Sequence, residues 1–136
     1  MKQFKTIEPL SNFDIIELCN KLKIKNFKGC FMRDELSSMQ RSQNETMILN
    51  LDDNAGPGTH WTCLCLNNNE AFYFDPFGMP PTVELEKYLD EIPTSYSSFA
   101  IQAPDQIICG HYCVYFLFRC CQGINFYDVL LELLYY

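Results

Sequence analysis

No apolar run in this chain is long enough to span a bilayer. The apolar stretch over residues 114–118 is far too short, where a spanning helix needs about 20 apolar residues. The opening Met1-Lys2-Gln3-Phe4-Lys5 lacks the apolar block of a signal peptide, so a soluble, non-secreted protein is expected. Basic residues are scarce: ten Lys and Arg face seventeen Asp and Glu, for a formal charge of -7. The only basic cluster is Lys21, Lys23, Lys25 and Lys28. That balance excludes strong general affinity for nucleic-acid backbones, which need clustered cations. There is no C-x-x-C pair, repeat, low-complexity tract or linker, and one domain over residues 1–136 is expected.

Eight cysteines are present, at 19, 30, 63, 65, 109, 113, 120 and 121. Without an export signal they read as reduced thiols rather than a disulfide framework, most of them small core residues. A content of 48% hydrophobic and 15% aromatic residues is enough to bury a substantial core. Within it stands an ordered set of residue types: His60-Trp61, then Asp75 in Tyr73-Phe74-Asp75-Pro76-Phe77-Gly78, then Gln102 ahead of Cys109-Gly110. A cysteine attacks carbonyls as thiolate, yet a free thiol near pKa 8.5 is mostly protonated at neutral pH. An imidazole must take that proton, and a carboxylate on its far nitrogen fixes the tautomer and steadies the imidazolium. His60 and Asp75 suit those roles. A glutamine amide with the backbone N–H of the attacking residue can donate to the developing oxyanion, and Gln102 with Cys109 suits that one.

The surrounding pattern says where these residues lie. Ser11-Asn12-Phe13-Asp14 is a capping box, followed by Ile15, Leu18, Cys19 and Leu22 at helical spacing, which predicts a helix over 12–22. Residues 46–51 alternate as a strand does, and 52–58 form a dense turn signal. Residues 61–66 and 71–74 read as further strands of a hairpin, which puts His60 at a strand entry and Asp75 at a strand end. Helical spacing recurs over 83–89, an extended pattern over 96–102, and a turn over 103–106. Residues 109–122 carry one charge, Arg119, and read as a buried helix headed by Cys109, whose positive dipole end meets the sulfur. Residues 126–135 are a last amphipathic helix.

Gly58-Thr59-His60-Trp61, Tyr73-Phe74-Asp75-Pro76-Phe77-Gly78 and Gln102 with Cys109-Gly110 resemble the adenovirus maturation protease (adenain) family, which groups with the ubiquitin-like-protein proteases. The resemblance is closest to adenain-like proteases of polintons, adintoviruses and virophages, whose upstream blocks are similar to residues 31–36 and 48–53. It spans nearly the whole chain. It implies an α+β fold of the papain-like superfamily, with a small antiparallel or mixed sheet packed on a central helix that carries Cys at its N-terminus. It also implies a cysteine endopeptidase that cleaves capsid and core precursors after small residues, typically glycine, during virion maturation, in the virion or in the nucleus or cytoplasm of a host cell. The seven-residue spacing selects Gln102 over Gln106. The chain departs from the adenovirus pattern in carrying Asp75 for a glutamate and in its shorter part after Cys109. The DNA and disulfide-linked peptide that stimulate the adenovirus enzymes are therefore not carried over, and no cofactor is expected. A monomer acting on protein or peptide substrates is expected, with no membrane partner.

Each residue also has a plainer reading. Alone, His60 would be a structural histidine, Asp75 a turn residue before proline, and Cys109 a core thiol like Cys113, Cys120 and Cys121. Trp61 reads equally as core and as a wall of the substrate cleft. His111 is a poor rival base, because two helical positions turn it about 200° away from Cys109. A zinc site would need thiolates that converge, and Cys63 and Cys65 share a strand face that belongs in the core. A catalytically inactive module that binds an extended tail by strand addition is the non-enzymatic alternative, and a deconjugating protease for ubiquitin-like modifiers is the enzymatic one.

Overall fold

The computed structural model describes residues 10–51, 60–101 and 109–134. In chain order these form α1 (Asn12–Lys21), β1 (Phe27–Met32), a 3-10 helix (Arg33–Ser38), β2 (Asn44–Asn50), β3 (Trp61–Asn67), β4 (Glu70–Phe74), α2 (Val83–Leu89), β5 (Thr94–Tyr96), α3 (Cys109–Cys121) and α4 (Phe126–Leu134). The five strands make one sheet in the order β1-β2-β3-β4-β5. β2, β3 and β4 are antiparallel neighbours, while β1 lies parallel to β2 and β5 parallel to β4. The α+β class with a mixed sheet is thus as the sequence implies.

Alternation along the strands sorts their side chains onto two faces. Ile48, Cys63 and Phe74 face α1, α3 and α4 in a core with Ile15, Cys113, Phe116, Leu117 and Val129. Met47, Leu49, Leu64, Leu66 and Tyr73 face the opposite way, against Leu36 of the 3-10 helix and Leu85, Tyr88 and Leu89 of α2. Phe116 of α3 is fully buried. It stacks on Phe74 with ring centroids 4.7 Å apart and meets Phe126 edge-on at 5.5 Å, so one side chain joins α3 to both the sheet and α4.

The local signals were read closely at the helices. The capping box of α1 is formed, with Asp14 N–H donating to Ser11 Oγ at 3.1 Å and Ser11 N–H to Asp14 Oδ2 at 3.0 Å. In the two-residue turn between β3 and β4, Asn68 adopts φ +56°, a left-handed backbone that asparagine tolerates. Two departures occur. β1 was not legible as a strand, because all six of its residues are half-buried and no in-out alternation marks them. The extended segment expected over 96–102 pairs earlier, at Thr94–Tyr96. Its partner β4 ends at Phe74, so the pairing ends there too, and Ile101 N–H instead reaches back to the Pro76 carbonyl at 2.8 Å. The turns expected over 52–58 and 103–106 lie outside the described residues. Among the described residues, no helix is long and apolar enough to cross a membrane.

Candidate active site

β3 begins one residue after His60 and β4 ends one residue before Asp75. Because the two strands are antiparallel neighbours, that start and that end fall at the same end of the sheet. The tertiary result is a buried pair in which His60 Nε2–H donates to Asp75 Oδ1 at 2.6 Å. Asp75 has no solvent exposure. Its Oδ1 also accepts the Phe77 N–H at 2.8 Å, which fixes the carboxylate relative to its own turn.

That turn is pinned from both sides. Gly78 N–H donates to the Asp75 carbonyl at 2.8 Å, and Gly78 adopts φ +76°, where side chains are strained. A Cβ on Gly78 would lie 2.5 Å from the Phe99 carbonyl carbon, so the close approach of the 97–101 segment demands glycine. The turn also delivers Phe77 onto the imidazole, with ring centroids 4.0 Å apart and planes within 2°.

Cys109 is the first residue of α3, and α3 lies against β3 so that the thiol meets the His60-Trp61 step. Trp61 N–H donates to Cys109 Sγ at 3.4 Å. Gly110 lets the helix start come this close: a Cβ there would sit 3.2 Å from the Trp61 ring, 3.3 Å from Ile15 Cδ1 and 3.4 Å from Leu10 Cβ. With Nε2 taken by Asp75, the buried Nδ1 is the ring nitrogen left to serve the thiol.

Electrostatics single out this thiol. Burial alone would raise the Cys109 pKa, but the neighbouring His60 imidazole, with the Trp61 and Gly110 N–H groups, outweighs it and pushes the thiol below its ordinary value. Burial would likewise lower His60, yet Asp75 and Cys109 hold its pKa up at about 9. Desolvation pushes Cys19, Cys30 and Cys120 up to about 12 and Cys65 to about 11, and raises Cys63 and Cys113 as well. The two shifts, thiol down and imidazole up, both favour a thiolate beside an imidazolium.

His60, Asp75 and Cys109 are therefore brought together, while Gln102 lies outside the described residues. Trp61 is buried, its indole N–H donating to the Leu10 carbonyl at 3.2 Å, and its ring borders a groove of about 330 Å³ shared with Leu10, Asn12, Phe31, Met32 and Glu35. Burial holds the His111 imidazole below its ordinary value. Cys63 and Cys65 share the sheet face toward α3, as expected. Cys65, Cys120 and Cys121 are only half-buried and line an outer groove instead of sitting in the core. Among the described residues, no group of three or more His, Cys, Asp or Glu is arranged to hold a metal ion. The Trp61 N–H on sulfur was missed by sequence reading, since backbone donors leave no residue signature. The Phe77 stack was carried by a quoted motif but not foreseen.

Solved structures give this fold a class. The chain superposes on the pS273R protease of ASFV with a TM-score of 0.65 at 15% identity, covering 90% of this chain and 61% of that one. It superposes on the SUMO protease Ulp1, with the catalytic cysteine oxidized to a sulfinic acid, at a TM-score of 0.61 and 14% identity, covering 97% of this chain and 77% of that one. No protein-family model and no curated protein sequence matches the chain. The fold is that of the Ulp1-like cysteine proteases, and this chain spans about three fifths of the length of the viral enzyme it resembles.

Proposed function

We propose that this protein is a cysteine endopeptidase in which Cys109 is the nucleophile, His60 the general base and acid, and Asp75 the group that orients His60. The observation that carries the reading is the 2.6 Å His60–Asp75 pair beside a thiol that is pushed down while its neighbours are pushed up. Cys109 thiolate attacks the substrate carbonyl carbon. The oxyanion is met by the Cys109 N–H and, from its spacing in the sequence, by the Gln102 amide. His60 protonates the leaving amine, then takes a proton from the water that hydrolyses the thioester and regenerates the thiol. Trp61 walls the cleft on the side of the groove shared with Leu10 and Met32.

The substrate reading is cleavage after glycine or another small residue in viral capsid or core precursors during virion maturation. It is supported by the adenain-like and polinton-like motifs and by the likeness to a viral protease fold. Deconjugation of a ubiquitin-like modifier is the second reading, favoured by the superposition on a SUMO protease over 97% of this chain. In either case a monomer without metal or nucleic-acid cofactor is our expectation. A panel of glycine-containing precursor peptides set against ubiquitin-like proteins with a C-terminal reporter separates them. Peptide turnover that vanishes in Cys109→Ala is expected; strong turnover of the modifier fusions alone would move the assignment to deconjugation, and turnover surviving in Cys109→Ala would sink the mechanism.

A further inference from the structure

β3 and β4 are in register as far as Cys63 against Phe74. One more hydrogen-bonded step would set Trp61 opposite Pro76. That step cannot form as a ladder, because proline has no N–H and the Pro76 carbonyl is already taken by Ile101 N–H at 2.8 Å. The other edge of β3 offers no substitute: there Leu51 N–H pairs with the His60 carbonyl at 2.9 Å, so the Trp61 amide and carbonyl point away from β2. Buried backbone groups need partners, and α3 supplies both. Trp61 N–H donates to Cys109 Sγ at 3.4 Å, and the Cys113 S–H donates to the Trp61 carbonyl at 3.3 Å. Cys109 and Cys113 are one helical turn apart, so their thiols share a face and bracket a single peptide residue.

We propose that Cys113 is a positioning residue for the nucleophile: by holding the Trp61 carbonyl it aims the Trp61 N–H at Cys109 Sγ and so favours the thiolate. Cys113 can do this only as a thiol, since a thiolate has no proton to donate. It is fully buried, and desolvation, helped by the neighbouring Cys63 thiol and the charges of Cys109 and Asp75, holds its pKa well above the ordinary value. It therefore keeps its proton throughout the range in which Cys109 loses its own. The charged group that faces Cys109 itself is His60. The inference rests on the reading of Cys109 as the reactive thiol.

The pH dependence of iodoacetamide alkylation at Cys109, followed by mass spectrometry on the full chain, tests both ideas without a substrate. Cys113→Ala and Cys113→Val, which lack the donor, are expected to raise the apparent Cys109 pKa by about 0.5 unit, roughly a threefold loss of thiolate on the acid side. Cys113→Ser restores a donor and is expected to match the unmodified protein. Cys65→Ala, which opens space on the same sheet face without touching Cys113 or the Trp61 carbonyl, is expected to leave the profile unchanged. Thermal melts identify which variants are folded, and Val stands in should Ala fail. Selective alkylation with an unchanged profile in the folded Ala or Val variant would overturn the inference alone. So would a Ser or Cys65→Ala profile displaced as far as theirs. Alkylation of the unmodified Cys109 no faster than an ordinary thiol would overturn the protease reading and this inference together.

Discussion

At the scale of single residues, the opposed shifts of His60 and Cys109 set the pH behaviour. In the proposed mechanism the working state is the thiolate–imidazolium pair, bounded by the lowered Cys109 pKa and the His60 pKa of about 9. Activity is therefore expected to rise from the acid side as Cys109 ionises and to fall as pH passes about 9. The raised His60 pKa has the same sign for stability. Its contribution is full below the ordinary histidine value near 6.5 and is lost as pH climbs through about 9. Asp75→Asn removes the carboxylate charge that helps hold the His60 pKa up and admits the wrong tautomer. It is expected to lower kcat/KM by roughly a hundred- to ten-thousandfold and to move the alkaline limb toward lower pH; an unmoved limb would mean that Asp75 does not set the His60 charge. Phe77 covers one ring face of His60. Phe77→Ala is expected to reduce kcat about two- to tenfold with little change in KM, and Phe77→Tyr to recover most of it. These residue types were legible in the sequence because their order is chemically specific. The direction of each pKa shift was not, since it depends on burial and on backbone donors contributed by distant segments.

At the scale of elements, the turn after β4 is the piece on which the site depends most. It carries Asp75, Phe77 and the glycine that lets the 97–101 segment close over it. Gly78→Ala combines a left-handed backbone with a Cβ 2.5 Å from backbone carbon. A loss of at least about 1–3 kcal/mol is expected, read as a lowered Tm, with activity falling more steeply than stability because Asp75 and Phe77 move with the turn. A wild-type Tm would show that the segment yields freely. The caps and hydrophobic periods of α1, α2, α3 and α4 made those helices readable to within a residue. β1 and β5 were not readable as they stand. Both are edge strands of a mixed sheet, and their pairing with β2 and β4 was decided by the partner strand. A half-buried edge carries no period of two, and a three-residue strand is too short to show one.

At the scale of the whole molecule, α3 is both the core and the carrier of the proposed nucleophile, so packing and reactivity share an element. Phe116→Ala removes the ring that joins Phe74 to Phe126. A cost of about 3–5 kcal/mol is expected in denaturant unfolding, with faster alkylation of the otherwise buried Cys63 and Cys113 in the destabilised protein; a loss under about 1 kcal/mol would show that the cavity refills. By itself the sequence determined the α+β class, the helices, the strand-end positions of His60 and Asp75 and the helix-start position of Cys109. Hydrophobic period, capping residues and turn residues are local, and each acts within a few positions of where it is written. Only the tertiary structure decided that the start of α3 lies against the start of β3, that Phe77 folds back onto His60, and that the N–H and carbonyl of Trp61 are taken by two thiols of α3. Those contacts join segments 17 to 52 residues apart, and no local pattern can encode a meeting that depends on where the rest of the chain has packed.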